Sequence, residues 1–280
     1  NLRLGEVTTP IVDRFLVDLH ERVGSATSRT SRAVISGAMG RAVREGAVRF
    51  NPTREVRRLS AGPRRRPRAL TEQERAAWFL AVTRDPRAVE HDLPDLCAFM
   101  LATGLRIGEV VAVLWSEIDL EAGTVAVTST LIRVTGQGLI RKPTKSAAGQ
   151  RLLPLPQWCV AMLRRRAEVG VGPEEPVFGT VDGGFREPRS VSRWLYEVRL
   201  DSDLEWVTSH AWRKTTASIL DGSGVTARII ADQLGHSRVS MTQDVYLGRG
   251  EHDPRVLAPL EAADPQPPSP GQSGGESGGF

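Results

Sequence analysis

Four separated stretches of this 280-residue chain carry side chains able to grip a phosphate and move protons. They are Ala-Thr-Gly-Leu-Arg-Ile-Gly-Glu at 102–109, Pro-Thr-Lys-Ser at 143–146, His-Ala-Trp-Arg at 210–213, and Leu-Gly-His at 234–236 followed by Tyr246. A guanidinium stays charged at any relevant pH and presents a planar fork matched to phosphate. A phenol is a weak nucleophile until a neighbouring acceptor takes its proton. Each stretch alone says little. A solitary Arg at a helix start is usually a surface residue, a His and an Arg three apart usually just share a helix face, and a Tyr among polar residues is usually half-exposed packing.

Taken together, in this order and approximate spacing, the stretches resemble the tyrosine recombinase (phage integrase) family over about residues 70–250. The family signature of Arg, Lys, His-x-x-Arg, His or Trp, and Tyr falls on Arg106, Lys145, His210, Arg213, His236 and Tyr246. Lys214, where many relatives have His, and the Leu247-Gly248 pair after Tyr246 depart from the pattern outside these positions. The helical segment upstream is similar to the core-binding domain of integrases of actinobacterial mobile elements.

The resemblance implies a site-specific recombinase that moves a DNA phosphodiester onto Tyr246 as a 3′-phosphotyrosine and then reverses the step. In that reading Arg106 and Arg213 clamp the phosphate, His210 is the general base, and His236 bonds a phosphate oxygen. Lys145 protonates the leaving 5′ oxygen, since a lysine whose pKa is lowered by nearby arginines can give up a proton where Arg cannot. Lys142 is the alternative acid: the chain has only three Lys, at 142, 145 and 214, and two of them share one predicted hairpin. Glu109 is read as a support that pairs with a buried cation or caps backbone. No cofactor and no metal is implied, because the phosphotyrosine conserves the energy of the broken bond, and the sequence has no Gly-x-x-x-x-Gly-Lys loop or acidic metal cluster. The implied partners are double-stranded DNA attachment sites, a homotetramer on synapsed DNA and accessory directionality proteins.

Elements that must hold these residues can be read from periodicity. Residues 8–22 and 26–45 form two amphipathic helices, the second with Val34, Ile35, Ala38, Met39 and Ala42 on one side. Thr71 and Glu74 make a capping box for the next helix, and Leu96, Phe99, Met100 and Thr103 recur at helical spacing before Gly104 breaks the run. From Thr124 alternation takes over, giving strands near 124–131, 139–142 and 151–155. Helical patterns resume at 157–169, 189–199, 210–221, 226–234 and 239–247. The fold expected is mainly α with a small antiparallel β-sheet (α+β): a helical core DNA-binding domain at 1–58, a basic linker at 59–69, a catalytic domain at 70–262 and a disordered tail at 263–280. Val256, Leu257 and Leu260 are read as an apolar patch for docking onto a neighbouring protomer. The chain opens at Asn1 within helix-like sequence and reads as a fragment or processed product.

Net charge is only +4, yet residues 29–68 hold twelve Arg against Glu45 and Glu55. That asymmetry points to a polyanion. Arg29, Arg32, Arg41 and Arg44 on the second helix and Arg64, Arg65 and Arg66 in the linker are the candidate DNA contacts. Cys97 and Cys159 stand alone and read as core. No apolar run spans a bilayer and no signal sequence opens the chain, so the expected place is cytoplasmic, at the nucleoid, with no membrane partner. Rival readings are a type IB topoisomerase, a catalytically silent DNA-binding regulator of the same fold, and a helical scaffold whose arginines merely solubilise it.

Overall fold

The computed structural model describes residues 2–59, 68–144, 149–200, 202, 204–235 and 256–265. The chain divides into two compact units, Asn1–Arg66 and Pro67–Phe280. Among the described residues no helix is long and apolar enough to cross a membrane.

In the first unit, α1 (Thr9–Arg22) opens with Pro in its first turn, where a missing N–H costs nothing, and reaches α2 (Ser25–Arg44) through Gly24 at φ 113°. Val12, Leu16 and Val56 form a small core, flanked by Val7, Ile35 and Leu59. The Ser28 hydroxyl donates to the Leu16 carbonyl across the helix pair at 2.8 Å. The inward stripe of α2 is narrower than its composition suggests: Ser28, Met39 and Ala42 are buried, while Val34 is 66% exposed. At 3.6 residues per turn Val34 lies about 110° from the centre of the 28–35–39–42 stripe, on the side of Arg41. Arg29, Arg41 and Arg44 are exposed, Arg41 beside Glu45 at 2.8 Å, whereas Arg32 is half-buried and donates to the Thr53 carbonyl at 3.3 Å.

The second unit is built around α5 (Leu93–Thr103), which is apolar on nearly every face and buried accordingly. Before it come α3 (Glu72–Arg84) and α4 (Pro86–Glu90). The capping box that starts α3 is reciprocal: Glu74 N–H donates to Thr71 Oγ1 at 3.2 Å and Thr71 N–H to Glu74 Oε2 at 2.9 Å. Trp78 of α3 meets Trp212 edge-on with ring centroids 5.8 Å apart, tying α3 to a distant helix. Both thiols are buried, and burial pushes Cys97 up to about 12 and Cys159 higher still, which leaves neither reactive.

After α6 (Ile107–Val110) come, among the described residues, five strands: β1 (Ile118–Asp119), β2 (Thr124–Val127), β3 (Ser129–Val134), β4 (Gly138–Pro143) and β5 (Arg151–Pro154). They form two antiparallel sheets, β1-β2-β5 and the hairpin β3-β4, where alternation alone suggested one. The switch occurs at Thr128, whose hydroxyl bonds Glu117 and whose carbonyl accepts Thr144 N–H at 3.0 Å, so the chain turns from one sheet into the other. Arg141 then pins the hairpin by donating to the Ala112 carbonyl at 2.9 Å and to Glu117 at 2.5 Å.

Helices α7 (Gln157–Ala167), α8 (Pro188–Leu200), α9 (Ser209–Gly222), α10 (Ala227–Leu234) and α11 (Leu257–Glu261) follow among the described residues. The patch expected to dock on a neighbour is partly spent within the same chain. Val256 and Leu260 are buried with Leu220 of α9, flanked by Val225, Ile229 and Ile230. The Trp158 indole N–H donates to the Leu260 carbonyl at 2.8 Å, and the Glu261 carboxylate accepts Gln157 N–H at the start of α7. The 239–247 helix expected from sequence lies outside the described residues.

Candidate active site

Two left-handed glycines place the site's backbone. Gly104 (φ 67°) ends α5 and Gly235 (φ 66°) ends α10. The positive φ of Gly104 favours a residue without Cβ, and an added Cβ would lie 2.6 Å from Leu234 Cδ2, so that side chain would have to shift. The carbonyls beside these turns, left without helical partners, face one guanidinium: Arg213 Nη1 donates to the Gly104 carbonyl at 2.9 Å and Nη2 to the Leu234 carbonyl at 2.6 Å. Arg213 comes from the first turns of α9 and is 3% exposed; on the same helix Trp212 packs edge-on against Trp78 of α3 and the Thr216 hydroxyl donates to the Leu101 carbonyl of α5 at 2.9 Å.

Arg106 sits at the N-terminal cap of α6. Glu109, one turn on, accepts the Arg106 backbone N–H on Oε2 and Arg106 Nη1 on Oε1, each at 3.0 Å. The side chain of Glu109 is 6% exposed and that of Arg106 is 47% exposed, so one end of Arg106 is fixed while much of its guanidinium faces solvent. Glu109 has a second cation, Arg151 at the start of β5, whose Nη2 lies 3.2 Å from Oε2. Arg151 had no distinguishing mark in the sequence beyond opening an otherwise apolar strand, and was not among the candidate residues.

Arg106 and Arg151 thus pair with one carboxylate while Arg213 lies near enough to feel all three charges, leaving a local charge of +2. The Arg213 pKa is pushed down to about 10 by burial first and by Arg106 and Arg151 next, against the pull of Glu109, so it remains charged at neutral pH. A buried cation cluster short of counter-charge is unfavourable alone and is relieved by an anion.

His210 opens α9 three residues before Arg213 and is exposed. Lys142 is exposed on β4, opposite Thr130. Lys145, His236 and Tyr246 lie outside the described residues, as do Arg64, Arg65 and Arg66. The structure thus brings together Arg106, Glu109 and Arg213, with His210 on the helix that bears Arg213. Among the described residues no three or more His, Cys, Asp or Glu side chains gather as metal ligands would.

Burial by itself would raise the Glu109 carboxyl, but Arg151 and Arg106 outweigh it and hold the group below its ordinary value of 4.5. A carboxyl depressed on folding contributes stability that is complete above the unfolded value and is lost as pH falls through the folded one. Thermal melts should therefore show the wild type losing stability below about pH 4.5 more steeply than Glu109→Gln, with the two curves running parallel above pH 6. Equal slopes below pH 4.5 would contradict the pairing.

Residues 70–250 match the model of the phage integrase family. Over 232 residues the chain is 27% identical to the tyrosine recombinase XerC of Xylella fastidiosa (strain 9a5c), covering 82% of this chain and 72% of that protein. It is 30% identical over 196 residues to XerC of Rhizobium meliloti (strain 1021), covering 66% of this chain and 55% of the relative. The fold is similar to that of the Tn1549 transposon integrase (residues 82–397) in complex with circular intermediate DNA, with TM-score 0.71, 19% identity, and coverage of 89% of this chain and 84% of that one. It is also similar to a lambda integrase tetramer bound to a Holliday junction, with TM-score 0.60, 20% identity, and coverage of 84% and 66%.

Proposed function

We propose that this chain, which belongs to the phage integrase family, is a site-specific DNA recombinase that cuts and rejoins duplex DNA through a 3′-phosphotyrosine on Tyr246, without metal or ATP. The observation that carries this reading is the cluster of Arg106, Arg151 and Arg213 beside the single carboxylate of Glu109, a site whose cationic charge exceeds that of its carboxylate. A phosphodiester under attack gathers negative charge on its non-bridging oxygens, and preorganised guanidiniums stabilise that charge with no reorganisation at the moment of reaction.

In the step proposed, Tyr246 Oη forms a bond to phosphorus as the bond from phosphorus to the 5′ oxygen breaks. His210 takes the phenolic proton, Lys145 gives one to the leaving oxygen, and His236 bonds a phosphate oxygen. Arg106 and Arg213 hold the phosphate throughout. Rejoining is the reverse, with a 5′ hydroxyl as nucleophile. Arg29, Arg32, Arg41 and Arg44 of α2, with Arg64, Arg65 and Arg66, contact the DNA backbone, and four protomers pair two attachment sites. The names of the relatives, all tyrosine recombinases, and of DNA-bound integrases among the structural neighbours support this over relaxation of supercoils by a single enzyme copy.

The test is a suicide substrate: a nicked duplex carrying the candidate attachment site, incubated in EDTA and run on a denaturing gel. Wild-type protein should give a covalent protein–DNA band, and two intact sites should give four-way junctions. Salt-dependent binding with neither product would replace the enzyme by a silent DNA-binding regulator. If about six phosphates are neutralised, the log of affinity should fall against the log of salt concentration with a slope near −5. A slope shallower than about −2 would remove the arginine-rich helix from the interface.

A further inference from the structure

Arg151 spends a nitrogen on each of three backbone or side-chain acceptors. Its Nε donates to the Gln233 carbonyl at 2.9 Å, Nη1 to the Gly149 carbonyl at 3.0 Å and Nη2 to Glu109 at 3.2 Å. Each acceptor belongs to a different part of the site. Glu109 fixes both the backbone and the side chain of Arg106. Gly149 lies four residues after Lys145 in the sequence. Gln233 is the residue before Leu234, whose carbonyl Arg213 grips, and its own side chain donates to the Thr103 carbonyl at 3.3 Å beside Gly104. Arg151 and Arg213 thus cap successive carbonyls at the C-terminal end of α10, the residues that precede Gly235 and His236 in sequence. All three nitrogens of Arg151 already donate to protein acceptors, which leaves the phosphate to Arg106 and Arg213.

We infer that Arg151 is a positioning residue that couples the Arg106 clamp, through Glu109, to the end of α10 and to the chain at Gly149. This rests on the phosphotyrosine reading for its rate readout. A buried cation is kept where it is only if its partners are matched, and Glu109 supplies the charge while the two carbonyls fix the direction. Loss of Arg151 leaves Glu109 charged and free to pull Arg106 out of line, and it releases the end of α10.

The experiment compares Arg151→Gln, Arg151→Lys, Glu109→Gln and the double Arg151→Gln/Glu109→Gln in single-turnover cleavage of the nicked duplex, with DNA affinity measured alongside. Supporting residues of this kind typically change activity about 10- to 100-fold. Arg151→Gln should slow cleavage by that factor while affinity shifts less than about threefold, since no phosphate contact is lost. Arg151→Lys, which keeps the charge with fewer directed donors, should fall between. Because both act through one link, the double variant should be no slower than the slower single variant. A folded Arg151→Gln that cleaves at the wild-type rate, affinity that falls in step with rate, or multiplicative effects in the double variant would each overturn the inference. If Arg151→Gln fails to fold, the double variant, which removes both buried charges, and Arg151→Lys carry the comparison. A side-chain nitrogen-15 spectrum gives a readout free of catalysis: the Arg106 Nε–H signal should move in Arg151→Gln, and an unmoved signal would overturn the inference. A wild-type protein that makes no covalent band but whose Arg106 signal depends on Arg151 would sink the phosphotyrosine reading and leave the coupling standing.

Discussion

Tyr246→Phe is expected to leave no covalent protein–DNA complex on the nicked substrate, a loss of at least about a thousandfold in cleavage. The variant keeps the ring and removes one oxygen, which in the proposed step is the atom bonded to phosphorus. Water attacking in place of the tyrosine would cut the strand but leave no protein attached to DNA. Affinity for the uncut site should stay within about twofold, because most of it comes from backbone phosphates. The chain holds a natural control, since Tyr196 is its only other tyrosine. Tyr196 is 46% exposed on α8, with the Arg199 guanidinium 4.7 Å from its ring centre. Tyr196→Phe should therefore give the wild-type band. A band that survives in Tyr246→Phe and disappears in Tyr196→Phe would move the nucleophile to α8 and undo the assignment.

Arg213→Ala should lower single-turnover cleavage by about 100- to 1,000-fold, the usual effect of removing one preorganised donor from a developing oxyanion, worth roughly 3–4 kcal/mol of barrier. Two further consequences come from its place in the fold. The variant leaves the Gly104 and Leu234 carbonyls without their shared donor, which costs stability. It also relieves the repulsion of Arg106 and Arg151, which offsets part of that cost. The net change in melting temperature should accordingly be small beside the change in rate. Arg213→Lys keeps the charge, yet a single ammonium cannot span two carbonyls and a phosphate together, so it should remain at least about tenfold below wild type. A folded Arg213→Ala within tenfold of the wild-type rate would remove this residue from the clamp.

Much of the fold was readable because its signals are local. The Thr71–Glu74 capping box, the apolar run of α5 and the glycine that ends it each depend on neighbours within one or two turns, and each stands where the spacing predicts. The breaks came where a distant partner decided the outcome. Alternation through 124–131 looks like one strand, but Glu117 and Thr144 turn it at Thr128 into two sheets. Val34 has the composition of a core residue and the angular position of a surface one. Leu260 reads as free to dock elsewhere, yet the hydrophobic surface of α9 and α10 is nearer.

The same division runs through the site. The sequence by itself determined which chemistry was at hand: the types and order of Arg106, His210 and Arg213, and a Glu109 one helical turn from Arg106 where it must meet the α6 cap. Those relations hold within a turn of helix, so they survive without knowledge of the rest. Only the tertiary structure decided which of 34 arginines would be buried beside them. Arg151 reaches Glu109 across 42 residues of sequence and Gln233 across 82, and Arg213 reaches Gly104 across 109. A long cation can be held away from water only where a carboxylate and unpaired carbonyls converge on it, and that convergence is made by packed helices and sheet edges rather than by any stretch of chain.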